Sequence, residues 1–287
     1  YFLIMDTNMI QVICLGHACH DFVNEGYHPG GTVTYASLLA KNLGAEVTVI
    51  TSTGPDFLFQ QLFRDAGIQW LNLPSKQTTC FINTPSDEGR KQKICAVASQ
   101  ITANSLPSFP FPQIVHLGPI ANEIHPDVIQ LFPNALVGLS LQGWLRNWDG
   151  EGNVYTQNMD WSYLNGIDLV FASEEDLAHD PKVIDEITEY VTAVILTRGA
   201  KGATVYSNKQ SITIPAFPVQ ERDATGAGDT FAISFLMHFY QSGDLIRSCH
   251  YAHCVASLVV EGQTLPKLPQ PKDVALRLQQ YKDQFNL

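Results

Sequence analysis

The run Asp223-Ala224-Thr225-Gly226-Ala227-Gly228-Asp229 constrains this chain more than any other stretch. It combines two glycines, small neighbours and two carboxylates, and a long apolar segment of helical character, Thr230 to Tyr240, follows at once. That order predicts a tight, glycine-permitted turn feeding a helix N-terminus. Such a turn exposes backbone N–H groups and the positive end of the helix dipole, which together bind anions. Asp229 falls in or next to the first helical turn. A carboxylate beside an anion hole suits proton abstraction from a hydroxyl that attacks a phosphoryl group. A glycine-rich turn with an Asp cap also occurs as plain structure, so the motif alone leaves both readings open.

The rest of the chain has the rhythm of an α/β protein. Val12 to Leu15 ends at Gly16, and Thr32 to Leu43 reads as a helix closed by Gly44. Val47 to Thr51 is a second β-rich run, and Asp56 to Ala66 is an amphipathic segment stopped by Gly67. Ile114–Leu117, Ala135–Leu139, Leu169–Phe171 and Val194–Thr197 follow as short buried strands. Short continuous apolar runs with helices between them predict a doubly wound, mainly parallel sheet with helices on both faces. One piece breaks the rhythm. Thr78 to Ala98, with a polar turn at Pro85-Ser86-Asp87-Glu88-Gly89, reads as a β-hairpin. It could stand on the sheet edge or project from it.

At 287 residues the chain can build one large α/β domain or two small ones. Its net charge of -11 and pI of about 5.1 disfavour nucleic acid and anionic membranes as partners, while leaving room for a local anion site. No stretch is apolar and long enough to span a bilayer, and Tyr1 to Met5 lacks the features of a secretory signal. Met5 and Met9 are candidate natural starts. The six cysteines include no C-x-x-C pair, which predicts reduced thiols in a cytoplasmic protein. The clusters Cys14, His17, Cys19, His20 and Cys249, His250, His253, Cys254 lack zinc-site spacing and read as packing or pocket residues.

The heptad resembles the D-[TA]-x-G-A-G-D signature of the ribokinase (PfkB-type) carbohydrate kinases, and the resemblance runs from Gly16 to about Gly262. It implies a ribokinase-like fold over residues 1–287. A lid would be formed near 17–30 and 78–98, reduced because only Cys19 to Val23 and a Gly/His/Pro turn stand in its first part. It further implies ATP and Mg²⁺, with K⁺ as a candidate monovalent cation. Asp229 would be the base and the N–H groups of Gly226, Ala227 and Gly228 the anion hole. Asp223 and Thr225 would shape the loop, with Asp223 near the monovalent cation.

Sugar hydroxyls would meet Asp21, which can accept two hydrogen bonds, and the Gly30-Gly31 pair before a helix. On its residues alone Asp21 also reads as a strand-end cap. Tyr35 stands where the family usually has Asn. Thr197-Arg198-Gly199-Ala200-Lys201-Gly202 resembles the T-x-G-x-x-G element that contacts ATP, with Thr197, Gly199 and Gly202 as its contacts. His253, Ser257 and Gly262 would border the adenine. Ser173-Glu174-Glu175-Asp176 replaces the N-x-x-E motif, so Asp176 would hold magnesium through water. The same run also reads as a cap with acids after it. Gln142-Gly143-x-x-Arg146 looks like the subset that includes plant myo-inositol kinases, and it puts Arg146 or Gln142 at the substrate or the nucleotide phosphate.

The expected activity is ATP-dependent phosphorylation of a hydroxyl on a small sugar or cyclitol. A nucleoside kinase of the same fold and a catalytically idle ligand-binding relative are the alternatives. Partners would be the polyol or sugar and the nucleotide, with the protein a monomer or homodimer. No G-x-S-x-G elbow, and no G-x-G-x-x-G after the first strand, points to a hydrolase or dehydrogenase.

Overall fold

The computed structural model describes residues 9–23, 26–86, 89–177, 181–262, 265 and 267–285. Tyr1 to Met5 and the Asp87-Glu88 tip of the expected hairpin lie outside the described residues.

The elements run in this order. The first third holds β1 (Gln11–Leu15), β2 (Cys19–Val23), β3 (Gly26–Gly30), α1 (Thr32–Asn42), β4 (Glu46–Thr53), α2 (Gln60–Asp65), β5 (Gln69–Pro74), β6 (Cys80–Ser86) and β7 (Gly89–Ala96). The middle holds β8 (Ile114–Leu117), β9 (Leu136–Ser140), α3 (Gln142–Leu145), β10 (Arg146–Trp148), β11 (Val154–Thr156), β12 (Leu169–Ser173) and α4 (Pro181–Thr188). The last third holds β13 (Ala193–Thr197), β14 (Ala203–Ser207), β15 (Gln210–Ile214), α5 (Ala227–Ser242), α6 (Leu245–Val260) and α7 (Pro271–Phe285).

The main sheet has nine strands in the order β15-β14-β13-β12-β9-β8-β1-β4-β5. Strands from β13 to β5 run parallel, and β14 and β15 add an antiparallel edge. Alternate residues of β1 show why the strands read as continuous apolar runs. Val12 and Cys14 join the core built with α1, α5, α6 and α7, while Ile13 and Leu15 join the core on the opposite face. A strand buried on both faces has no polar side to display.

Chain order reverses between β1 and β8, which makes their C-terminal ends the topological switch point where α/β sheets bind ligands. The backbones that follow these strands lie very close. A Cβ on Gly16 would sit 2.3 Å from the Gly118 carbonyl oxygen. Glu123, 2% exposed, ties the same two loops. Its carboxylate accepts from the N–H groups of His17 (2.8 Å), Ile120 (2.9 Å) and Ala121 (2.7 Å).

A second, four-stranded sheet in the order β3-β2-β6-β7 stands over this crevice. The expected hairpin forms β6 and β7, and it pairs in parallel with β2 rather than with the main sheet's edge. Gly26–Gly30, expected as a turn, is instead strand β3, paired antiparallel with β2. A small core of Cys19, Phe81 and Ile94 packs on Ile120 and Ala121, seating this sheet on the loop after β8. The Ile94 N–H donates to the Gly152 carbonyl (2.8 Å), so the β10–β11 hairpin braces its far edge.

The expected helix over Asp56–Ala66 is shorter, Gln60–Asp65. Asp56 instead accepts from the N–H (3.0 Å) and hydroxyl (2.9 Å) of Thr78, and Phe57 stacks between Trp70 and His20. These tertiary contacts hold the first turn's residues out of the helix. Among the described residues no helix is long and apolar enough to cross a membrane.

Removing the Glu123 acceptor would strand three buried donors. Glu123→Ala is expected to cost about 3–5 kcal/mol in denaturant unfolding, and Glu123→Gln less. A loss under about 1 kcal/mol would show that the loops hold without it.

Candidate active site

The turn before α5 forms as expected. Gly226 caps the helix at φ +77°, and a Cβ there would lie 2.1 Å from the Tyr35 ring. Only glycine satisfies both the left-handed backbone and the packed ring. Asp223 Oδ1 accepts from the Thr225 N–H (2.9 Å), and the Arg222 and Asp223 N–H groups donate to the Val260 carbonyl, so Asp223 shapes the loop. The expected anion hole needs one correction. The Ala227 N–H donates to the Ala224 carbonyl (3.1 Å), because the turn closes on itself there. The N–H groups of Gly226 and Gly228 make no backbone hydrogen bond among the described residues and are the ones left for an anion.

On one side of the turn lies a polar cavity of about 280 Å³, lined by Asp21, Tyr35, Gln142, Arg146, Gly226 and Asp229 among others. Asp21 is held by a relay across the lid hairpin: Gln92 donates to Asn83 Oδ1 (2.9 Å), and Asn83 donates to Asp21 Oδ1 (2.9 Å). Gly30 lies against that carboxylate, since a Cβ there would fall 2.4 Å from Asp21 Oδ2. Gly31 caps α1 at φ +91°, where a Cβ would strike the His17 carbonyl oxygen at 2.3 Å. Arg146 donates to the Ile120 carbonyl (3.0 Å) and lies 5.5 Å from the centre of the Phe81 ring. It reaches that position because Gly143 lets α3 press against Pro119, where a Cβ would come 1.9 Å from the carbonyl oxygen.

Asp229 is the third residue of α5. Burial lifts its carboxyl to about 6, against the lowering pull of a Thr32 hydrogen bond and the Arg146 guanidinium, while Asp21 pushes it further up. The Tyr35 hydroxyl is held neutral by burial first, then by Asp229, Asp21 and Asp223.

On the other side lies a more apolar cavity of about 370 Å³, lined by Thr197, Gly199, Gly202, His253 and Ser257 together with Phe217. Gly262, expected at this border, is not among its lining residues; its N–H closes the end of α6 on the Val259 carbonyl (2.8 Å). Burial lowers His253 to about 4, so its ring is neutral. Ala224 and Gly228 line both cavities, so the turn is the wall between them.

A third cleft of about 750 Å³ adjoins the polar cavity through Gln142 and Arg146 and carries Glu175 and Asp176 at its rim. Asp176 Oδ2 accepts from the Ser173 N–H (2.7 Å) and hydroxyl (2.8 Å), which is the capping arrangement. Among the described residues no three His, Cys, Asp or Glu side chains converge as a metal cage. His17, in the first Cys/His cluster, has both ring nitrogens engaged, by Ser99 (2.9 Å) and Thr79 (2.8 Å).

Residues 145–270 match the model of the pfkB family carbohydrate kinases. The expected resemblance to that family is borne out by this match, which spans less than half of the chain. The chain is 23% identical over 294 residues to an inositol 3-kinase of Arabidopsis thaliana, covering 96% of this chain and 79% of that protein. Its fold is that of a pyrophosphate-dependent kinase in the ribokinase family complexed with a pyrophosphate analog and myo-inositol. The TM-score is 0.76 at 21% identity, over 92% of this chain and 99% of that one. A fructokinase with bound ATP from Xylella fastidiosa superposes with a TM-score of 0.76 at 19% identity, over 94% and 98% of the two chains.

Sequence reasoning overlooked Thr32, Asn83, Gln92, Glu123 and Phe217. Thr32 follows the glycine pair at a helix start and could have been read as a donor. The Asn83–Gln92 pairing needs the hairpin register, which no local pattern sets.

The raised Asp229 carboxyl has a stability consequence. A folded value of about 6 lies above the ordinary unfolded range, so the stability this group contributes is greatest at acid pH. It declines as pH rises from about 4 through 6. Above that range the buried charge is a standing penalty. Asp229→Asn is expected to raise stability by about 1–2 kcal/mol at pH 7.5 and by much less at pH 4.5, read from thermal or urea unfolding. Equal stability of the two proteins at pH 7.5 would contradict the buried-charge account.

Proposed function

We propose that this kinase transfers the γ-phosphoryl group of ATP to a hydroxyl of a small sugar or cyclitol. The observation that carries the reading is the shared wall. Ala224 and Gly228 border a polar cavity with Asp229 at its edge and an apolar cavity sized for a base, so acceptor and donor would meet across the glycine turn.

Asp229 accepts the acceptor hydroxyl's proton as its oxygen attacks the γ-phosphorus, and the bond to the bridging oxygen breaks to release ADP. The N–H groups of Gly226 and Gly228, at the positive end of α5, hold charge on the transferring group. Asp21, held by Asn83 and Gln92, orients the acceptor's hydroxyls, and Gln142 and Arg146 close the cavity. Asp176 and Glu175 fit a magnesium ion carried by phosphates and water, since that ion needs only one or two carboxylates. Bound there, magnesium supplies charge neutralisation on the phosphates. The Asp223 loop is the place for a monovalent cation. An apolar pocket has no use for pyrophosphate, which supports ATP as the donor. Tyr35 packed on Gly226 narrows the acceptor cavity, which supports a single small ring rather than a nucleoside. The names of the Arabidopsis relative and of the myo-inositol complex point to the same class of acceptor. A cytoplasmic setting is part of the proposal, and six cysteines without a disulfide are in keeping with it.

A panel of sugars, cyclitols and nucleosides with ATP/Mg²⁺ or pyrophosphate tests the reading. Cyclitol or sugar turnover with ATP is expected. Preference for a nucleoside, turnover only with pyrophosphate, or no turnover above background would each overturn part of it. Asp229→Asn should lower kcat by about 10²–10⁴-fold while nucleotide binding persists. Because the base must be unprotonated, kcat/KM for the acceptor should fall about tenfold per pH unit below about 6. A flat profile down to pH 5 would exclude Asp229 as the base.

A further inference from the structure

Thr32 is the first residue of α1, 6% exposed, and it lines the polar cavity together with Asp229. Two contacts decide where its side chain points. Its methyl group packs on Gly118, so closely that a Cβ on Gly118 would fall 2.5 Å from Thr32 Cγ2 but 3.7 Å from the hydroxyl oxygen. Its hydroxyl is hydrogen-bonded to the Asp229 carboxylate. Thr34, two residues on, turns its hydroxyl back to the Gly30 carbonyl (2.7 Å), as helical threonines commonly do. Thr32 gives its hydroxyl to a second helix, α5, instead. The backbone beneath it is fixed as well. Gly31 lies against the His17 carbonyl, and Glu123 holds the His17 N–H (2.8 Å). A β-branched side chain on a fixed backbone, with its methyl seated, keeps its hydroxyl in one direction.

A carboxylate can only accept, so the Thr32 hydroxyl donates to it. That bond has two effects. It holds one carboxylate oxygen and leaves the other for an incoming hydroxyl, and it favours the ionised form. The charged groups around Asp229 act differently. Arg146, from β10, favours the charge and Asp21, from β2, opposes it. Tyr35, from α1, is kept neutral. Arg146 is tied to the Ile120 carbonyl and Asp21 to Asn83. Thr32 is bonded to the carboxylate itself, so it sets direction as well as charge.

We propose that Thr32 is a positioning residue whose hydroxyl, aimed by the seat on Gly118, holds one oxygen of the Asp229 carboxylate so that the other faces the acceptor. This rests on Asp229 being the base of the proposed phosphoryl transfer. The test measures kcat, KM and the pH dependence of kcat/KM for wild type, Thr32→Val, Thr32→Ala and Thr32→Ser. The assay uses ATP/Mg²⁺ with whichever of myo-inositol, ribose, fructose or adenosine the wild type turns over fastest. Thr32→Val keeps the shape and removes the donor. It is expected to lower kcat about 10–100-fold, with KM for ATP within about twofold. Without the donor the ionised form is less favoured, so the midpoint of the acid limb should rise by about one pH unit. Thr32→Ser keeps the donor but not the methyl, so it should restore the midpoint and only part of kcat. A folded Thr32→Val protein with wild-type kcat and midpoint overturns the proposal. So does a loss of kcat with an unmoved midpoint, which is what a purely structural role would give. If Thr32→Val fails to fold, Thr32→Ala is judged by the same two readings. Urea unfolding reads the contact without catalysis. Thr32→Val should lose more stability at pH 7.5, where Asp229 is ionised, than at pH 4.5. An equal loss at both would overturn the contact. A wild type that turns over none of the four acceptors, or whose pH profile is flat, overturns the base reading and this inference together. A sloping wild-type profile that Thr32→Val leaves in place overturns this inference alone.

Discussion

The geometry of the cleft depends on one buried carboxylate. Glu123 accepts three backbone N–H groups from the loops that follow β1 and β8, at the point where the sheet's strand order reverses. Those loops carry strong orphan donors into a place where water is excluded, and a single acceptor of the right shape satisfies them together. With the loops fixed, Ile120 and Ala121 offer an apolar seat for the lid sheet, and the Ile120 carbonyl receives Arg146. The His17 carbonyl in turn meets Gly31, which starts α1 and places Thr32 beside Asp229. Acid, cation and lid thus refer back to the same fixed backbone.

Asp229 shows how such a frame turns sequence into chemistry. A helix N-terminus would ordinarily hold a carboxylate well ionised. Here burial and Asp21 outweigh the pull of Thr32 and Arg146, and the carboxyl settles near 6. In the proposed role of base, that value suits a group that must hold a proton briefly and release it near neutral pH. It is also a local conflict with stability, tolerated because the surrounding packing over-determines the site.

The two main cavities differ in polarity. The cavity proposed for the acceptor is rich in carboxylate, amide and guanidinium groups, which a polyol can match and an apolar ligand cannot. The cavity proposed for the donor is built from small and aromatic side chains, braced by α7. The glycine turn between them has no side chain to obstruct either ligand, which is why the family signature falls there.

Local pattern alone was enough for β1, β4, β8, β9, β12 and β13, for the β6–β7 hairpin, for α1 and α5, and for the turn at Gly226. Short apolar runs, closing glycines and an apolar segment after a glycine turn are readable within a few residues. Local pattern singled out Asp229, while the family resemblance pointed to Asp21, Tyr35 and Arg146, which line the same cavity, and to Thr197, Gly199, Gly202, His253 and Ser257, which line another. Only the tertiary structure decided the rest. The segment Asp56–Phe59 leaves its helix for Thr78, Trp70 and His20, and Gly26–Gly30 becomes a strand because β2 lies alongside it. Ala227 loses its free N–H to the turn's own closure, and Gly262 falls outside the donor pocket. Glu123 and Thr32 gain their meaning from partners far away in the chain. The physical reason is the same in each case: propensity and periodicity act over a few residues, whereas hydrogen-bond satisfaction and packing act between whichever groups the fold brings together.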